Sequence, residues 1–324
     1  MSKFFIRVNG IGHAFSKELG CCCGRCQTIN FNMTTPSGLL EPFDGWYDPP
    51  WRAHTSASIL IPNENDDSMI KSHTLIDIGA GVIDGLVSSK LKGLENVDGL
   101  LISHWHPDHL LGINQFCESL KRTVVSQGRK FVKIPLFCTL ETYDYLRGKF
   151  SYEVEQFLRF CEVIPEVPFK LSENSPITFT PVNVAHGKGG GTAKSAVIFI
   201  ADFDNQEMKV IFGWDIDVPE AKRMSDGKPN IDVIRDNLSL LTEADILFME
   251  ANTWKEATNT GHTSFVLARQ YIDAIQAKKV LLVHMSGHED GEGNDGYGWN
   301  DKEWESAVDQ FGVGIARQGM IIQL

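Results

Sequence analysis

The sequence predicts a mixed fold, α+β or α/β, built on two β-sheets, and three observations carry that expectation. A chain of 324 residues, 42% of them hydrophobic, is long enough for one large two-sheet domain. No shift in composition divides it, so residues 1–324 are read as a single domain. Apolar runs of strand length are interleaved with segments whose apolar residues recur at helical spacing. Several of the strand-like runs end in histidine or aspartate, which puts polar chemistry on loops at strand ends.

Phe4 to Asn9 alternates as a first strand and turns at Gly10-Ile11-Gly12-His13 into an irregular loop that carries Gly20-Cys21-Cys22-Cys23-Gly24-Arg25-Cys26. Residues 28–51 are rich in Pro, Gly, Asn and Asp with scattered aromatics, and read as a long ordered loop at a substrate-side rim. Ser56–Ile61 and His73–Asp77 form the strands of a hairpin. Asp77 heads the turn Asp77-Ile78-Gly79-Ala80-Gly81, where an Asp before Gly also serves as a plain turn former. Val97–Ile102 is a short buried strand. The spacing of Ile113, Phe116, Cys117 and Leu120 predicts a helix with Cys117 in the core. Leu140–Lys149 and Tyr152–Cys161 predict two further helices, with Cys161 also in the core. Strands follow at Ile177–Val184, Ser195–Ala201 and Lys209–Phe212. A helix with Phe265, Ala268, Tyr271, Ile272 and Ile275 on its apolar face begins after Thr263 or Ser264 as N-cap, and Val280–Val283 is a last buried strand.

The chemistry concentrates in Ser103-His104-Trp105-His106-Pro107-Asp108-His109, at the end of the Val97–Ile102 strand. It reads His-x-His-x-Asp-His and holds three of the ten histidines. Imidazole nitrogen and carboxylate oxygen are the donors that zinc and manganese take. One ion cannot easily use four ligands from so short a loop, so two ions are the natural reading. Three later residues repeat the strand-end placement. His186 closes Thr178–Val184 and opens the loop Gly187–Gly191, Asp215 follows Val210–Trp214 with Asp217 as its alternative, and His284 ends Val280–Val283. Thiolates at the spacing of the Gly20–Cys26 run can wrap a further zinc from three sides, which would order a loop poor in apolar residues.

His-x-His-x-Asp-His after a strand resembles the signature of the metallo-β-lactamase superfamily. The resemblance implies a four-layered αββα sandwich with the metal site at one edge. It implies that His104, His106 and His186 hold one ion, that Asp108, His109 and His284 hold the other, that Asp215 bridges them, and that Asp77 orients the metal loop. The run Gly-Cys-x-Cys-x-x-Cys is similar to the structural zinc loop of the phosphoribosyl cyclic phosphodiesterase branch and of the pyrroloquinoline-quinone biosynthesis protein B. On that pattern Cys21, Cys23 and Cys26 are zinc ligands, Cys22 is an extra thiol, and His288 completes the set, with Glu289 or Asp290 as competitors. The pattern's Gly-Thr after the first strand is here Gly10-Ile11-Gly12.

The same resemblance implies a hydrolase with two divalent ions, Zn2+ or Mn2+, in the active site and one structural Zn2+. It would act on a small anionic, cyclic phosphodiester through a metal-bridging hydroxide, with Asp108 and His262 as catalytic residues and His262 protonating the leaving group. A lactone or thioester hydrolase of the same fold and a quinone-cofactor biosynthesis protein are the alternatives. A transfer-RNA 3′-processing nuclease has the same ligands but needs a basic surface. The net charge of −12 therefore makes a nucleic-acid polymer an unfavourable partner, and an anionic membrane likewise. The first residues carry no long apolar core with a cleavage site, and no later run reaches membrane-span length. With cysteines too unevenly placed for a disulfide framework, a cytoplasmic protein is expected. A homodimer is expected by resemblance alone.

Overall fold

A computed structural model describes residues 3–12, 53–89, 91–184, 186, 196–204, 206–216, 237–255, 262–286 and 294–324, the side chains of Asp67 and Ser68 excepted. The chain forms two compact units. One runs to Ile11, continues through Val163 and closes with Arg317–Leu324; the other holds Ile164–Ala316.

The first unit is a seven-stranded mixed sheet in the order β13-β1-β2-β3-β4-β5-β6. Its strands are β1 (Phe5–Gly10), β2 (Ser56–Asn63), β3 (Asp66–Ile76), β4 (Val97–Leu101), β5 (Ile134–Cys138), β6 (Leu158–Glu162) and β13 (Ile321–Gln323). β1, β2 and β3 pair antiparallel, and from β3 to β6 the pairing is parallel. Parallel neighbours need crossovers, and helices supply them. They are α1 (Val82–Ser88), the single turn α2 (Pro107–Leu110), α3 (Ile113–Ser126), α4 (Leu140–Lys149) and α5 (Ser151–Phe157). α3 buries Ile113, Phe116, Cys117, Leu120 and Val124, the stripe expected from its spacing. Burial, with the charges of Glu153 and Glu118 nearby, pushes the Cys117 thiol up to about 12, so this cysteine is an inert core residue.

The second unit repeats the plan. Its six strands are β7 (Ile177–Val184), β8 (Ala196–Phe203), β9 (Met208–Gly213), β10 (Ile246–Glu250), β11 (Lys279–Val283) and β12 (Gly314–Ile315). β7, β8 and β9 are antiparallel, then β9 to β12 are parallel. Pro181 sits in β7, an edge strand, where its missing N–H costs least. The helices are the short α6 (Leu238–Leu241), α7 (Phe265–Ile275) and α8 (Asp301–Asp309). α7 is capped by Ser264, whose hydroxyl accepts from Leu267 N. α8 carries a full capping box of Asn300 and Glu303.

One expected element is corrected. The helix read over Tyr152–Cys161 stops at Phe157, and Leu158–Glu162 is the edge strand β6, in register with β5 from Ile134↔Leu158 to Cys138↔Glu162. Leu158 and Phe160 alternate with exposed Arg159, and a row of ladder hydrogen bonds with one buried face outweighs a weak helical spacing. Cys161 is therefore half-buried on an edge strand and not a core residue; Cys117, Cys138 and Cys161 are free thiols. Among the described residues no helix is long and apolar enough to cross a membrane.

Candidate metal centre

In the first unit the site is built where β3 and β4 end. Asp77 follows β3 in the left-handed region, φ 54. This aims its carboxylate at the loop after β4. Oδ1 accepts from Ser103 N–H at 2.8 Å, and Oδ2 accepts from Ser103 Oγ–H at 2.6 Å and from His109 Nδ1 at 2.8 Å. These bonds fix two tautomers. A carboxylate can only accept, so His109 carries its proton on Nδ1. Ser103 Oγ has given its one proton to Asp77, so at 3.0 Å it can only accept from His104 Nδ1. In both rings Nε2 is then the basic nitrogen, as a metal ligand requires.

The loop packs its ligands by pairs. His104 and His106 bring ring nitrogens within 4.8 Å of each other. Asp108 Oδ2 lies 3.5 Å from His109 Nε2, and the His104 and His109 rings are 4.2 Å apart. Pro107 at the first position of α2 starts the turn that presents Asp108 and His109, with His106 as the extended N-cap residue. Gly79 lets the Asp77 turn lie against this loop, since a Cβ there would stand 1.8 Å from Asp108 O.

The second unit assembles its own set at the ends of β7, β9, β10 and β11. Asp215 (φ 60), two residues past β9, and His284 (φ 57), directly after β11, both take the left-handed conformation. Asp215 turns one oxygen to each neighbour: Oδ2 lies 3.4 Å from His186 Nε2 and Oδ1 lies 3.1 Å from His284 Nε2. Glu250, the fully buried last residue of β10, backs them. Its Oε2 accepts from Ile216 N–H at 2.6 Å, and its Oε1 accepts from His262 Nδ1 at 2.6 Å and stands 3.3 Å from His284 Nδ1. Thr263 Oγ1 donates to Ile216 O, tying the segment before α7 to the Asp215 loop. The donor atoms of Asp215, Glu250, His262 and His284 all lie within 4.8 Å of one another.

Burial works against a charged His262. The Glu250 carboxylate, with help from Asp215, more than offsets that and holds the imidazole above the ordinary histidine range.

Each unit thus offers imidazoles and buried carboxylates, with Nδ1 of His104, His109 and His262 already hydrogen-bonded, a donor set that fits borderline divalent ions. Every residue expected around the two ions is described. Cys21, Cys23, Cys26 and His288 of the expected structural zinc, with Cys22, Asp217, Glu289 and Asp290, lie outside the described residues, as do residues 28–51 and 187–191. Glu250 was not anticipated. Its signal was the same one that marked His186 and His284, an ionisable residue closing an apolar run, here Ile246-Leu247-Phe248-Met249.

The family model described as Beta-lactamase superfamily domain matches residues 74–285, from near the end of β3 to just past His284. The fold is that of the metallo-β-lactamase hydrolases, and the chain belongs to the β-lactamase superfamily. Among solved structures it is similar to a diphosphatase from the PhnP family, with 18% identity, a TM-score of 0.65, and 100% of this chain and 98% of that chain covered. It is also similar to the Zn(2+)-bound PqqB from Methylobacterium extorquens, with 13% identity, a TM-score of 0.64, and 99% and 100% covered. At these identities the likeness is one of fold. A curated octanoyltransferase from Porphyromonas gingivalis is 22% identical over 199 residues, 60% of this chain; the chain spans 34% of that relative's length.

Proposed function

We propose that this protein is a dinuclear metal-dependent phosphodiesterase that opens a small cyclic phosphodiester. The ions would be held by His104, His106 and His186 on one side, Asp108, His109 and His284 on the other, with Asp215 across the pair. When bound, two divalent ions lower the pKa of a water and offset negative charge on the attacking and leaving oxygens. Asp215 supports the bridging role because its two oxygens already face different histidines. Two carboxylates against two dications leave a net positive pocket, which suits an anionic substrate in an acidic protein.

The observation that carries the phosphodiester reading is the Glu250–His262 pair. With Nδ1 committed to Glu250 at 2.6 Å, proton exchange with a substrate oxygen falls to His262 Nε2. An alkoxide departing from phosphorus needs such a donor. Glu250 favours the protonated form of that imidazole and keeps the ring oriented. Cys21, Cys23, Cys26 and His288 are proposed to hold a separate structural zinc, so that the purified protein carries three ions per chain.

The test is a hydrolysis panel of cyclic phosphates, bis(p-nitrophenyl) phosphate, lactones, a nitrophenyl ester and RNA, with manganese, zinc or no added metal. Phosphodiesters should be the preferred substrates, and His262→Ala should slow them by on the order of 100-fold or more. Preference for the lactone or ester, with phosphodiester turnover surviving His262→Ala, overturns the reading in favour of an esterase or lactonase.

A further inference from the structure

The first unit holds a second recess that the chemistry at the strand ends does not use. It is a cleft of about 490 Å³ at the starts of β4 and β5, lined by Val97, Asp98 and Ile134. The metal loop leaves the other end of β4, so the length of that strand, roughly 15 Å, separates the two. Its volume falls in the range of small-molecule sites.

One wall of the cleft is pinned. The segment before β4 is bonded to β3 through Ile70 N–H to Lys92 O at 2.8 Å, His73 N–H to Asn96 O at 2.9 Å, and Asn96 Nδ2 to Ile70 O at 2.8 Å. Gly93 (φ 82) permits this contact, since a Cβ there would meet Ile70 O at 2.1 Å. The cleft is thus bounded by structure formed in advance, which lowers the ordering cost of binding.

Its lining has two characters. Ile70, Leu120, Val124 and Ile134 give an apolar floor, and an apolar crevice of about 180 Å³ beside α1 and α3 joins it, sharing Leu120 and Glu95. Three cations, Lys71, Arg129 and Lys130, stand exposed at the mouth of the cleft. The two carboxylates present are engaged by neutral donors, Glu95 by Gln127 Nε2 at 2.6 Å and Asp98 by the Ser72 hydroxyl. Arg129 bonds only amide oxygens, those of Asn96 at 3.1 Å and Gln127 at 3.0 Å. Among the described residues none of the three cations is in an ion pair. In a chain of net charge −12, unpaired cations gathered over an apolar recess form a local anion site.

We propose that this cleft binds a small organic anion, its head paired with Lys71, Arg129 and Lys130 and its apolar body lying on Leu120, Val124 and Ile134. The site is independent of the proposed phosphodiesterase reaction.

The test is calorimetric titration of the metal-loaded protein with 2-naphthoate, using 2-naphthalenemethanol as the uncharged analogue. The acid should saturate with a Kd on the order of 10–100 µM. The alcohol should bind at least about tenfold more weakly, and so should the acid to a Lys71→Glu/Lys130→Glu variant. Both lysines are exposed, so this variant should keep the parent's circular dichroism and melting temperature. A His104→Ala/His106→Ala variant should bind the acid as the parent does. Equal affinity for acid and alcohol, full binding by the charge-reversed variant, loss of binding in the metal-loop variant, or no saturation into the millimolar range would each overturn the proposal.

Discussion

Two buried carboxylates do the same work at residue scale. Asp77 accepts from a backbone N–H and from His109 Nδ1; Glu250 accepts from a backbone N–H and from His262 Nδ1. Each sets which ring nitrogen keeps its proton. Glu250→Gln keeps the shape but removes the charge that holds His262 protonated. Phosphodiester turnover should fall on the order of 100-fold, and the alkaline limb of the pH–rate profile should move to lower pH, because the proton donor now deprotonates earlier. An unmoved limb would separate Glu250 from proton donation. A second histidine gives a stability prediction. His73 is enclosed by Leu94 O and Ser58 Oγ, each at 2.8 Å; burial, with the Arg7 charge adding to it, lowers its pKa to about 4. Between that value and about 6.5 only the unfolded chain takes the proton, so this contribution is intact above the unfolded pKa and is lost as pH falls toward 4. From pH 7 to pH 5 the unfolding free energy should drop by roughly 2 kcal/mol from this group, and His73→Gln should remove that part of the slope in urea titrations. Asp77, Asp215 and the histidines were legible because their types are uncommon at strand ends. Glu250 was not, because its strand had gone unread.

Elements differ in how plainly a sequence announces them. α3, α7 and β7 have long, regular patterns, and their observed spans follow those patterns closely. β10 is five buried residues with no polar alternation, and such a run looks the same in a parallel strand as in a buried helix segment. β6 was lost to a helical reading because the ladder it joins lies outside its own sequence. Loop packing is equally hidden. Nothing around Gly79 states that its missing side chain admits Asp108 O, yet a Cβ would lie 1.8 Å from that backbone atom and 2.4 Å from His54 Cβ. Backbone cannot yield as a side-chain tip does. Gly79→Ala should therefore cost on the order of 1–3 kcal/mol and lower the metal content at a given metal concentration, read by denaturation and elemental analysis together. Ser264→Ala, which removes the cap of α7 just after His262, should cost about 1 kcal/mol and leave the metal content unchanged.

At the scale of the whole chain, the two units share one strand plan, and in each the third strand delivers an aspartate in the left-handed conformation, Asp77 and Asp215. The proposed function requires more than this likeness. It assigns three ligands to each active-site ion and Asp215 to both, so no ion keeps its full set when one of these side chains is lost. A ligand that binds only the folded protein stabilises it by about 4 kcal/mol when present at a thousandfold excess over its Kd. For a chain of this size that corresponds to a rise in melting temperature of roughly 6 °C. Calorimetry of metal-loaded and chelator-treated protein should show that increment. Because Asp215 is assigned to both ions and His104 to one, Asp215→Ala should abolish most of it, His104→Ala about half or more, and the double variant should lose little more than Asp215→Ala alone. Additive losses, or an increment that survives Asp215→Ala intact, would mean that Asp215 does not bridge the ions, and the dinuclear centre would have to be given up.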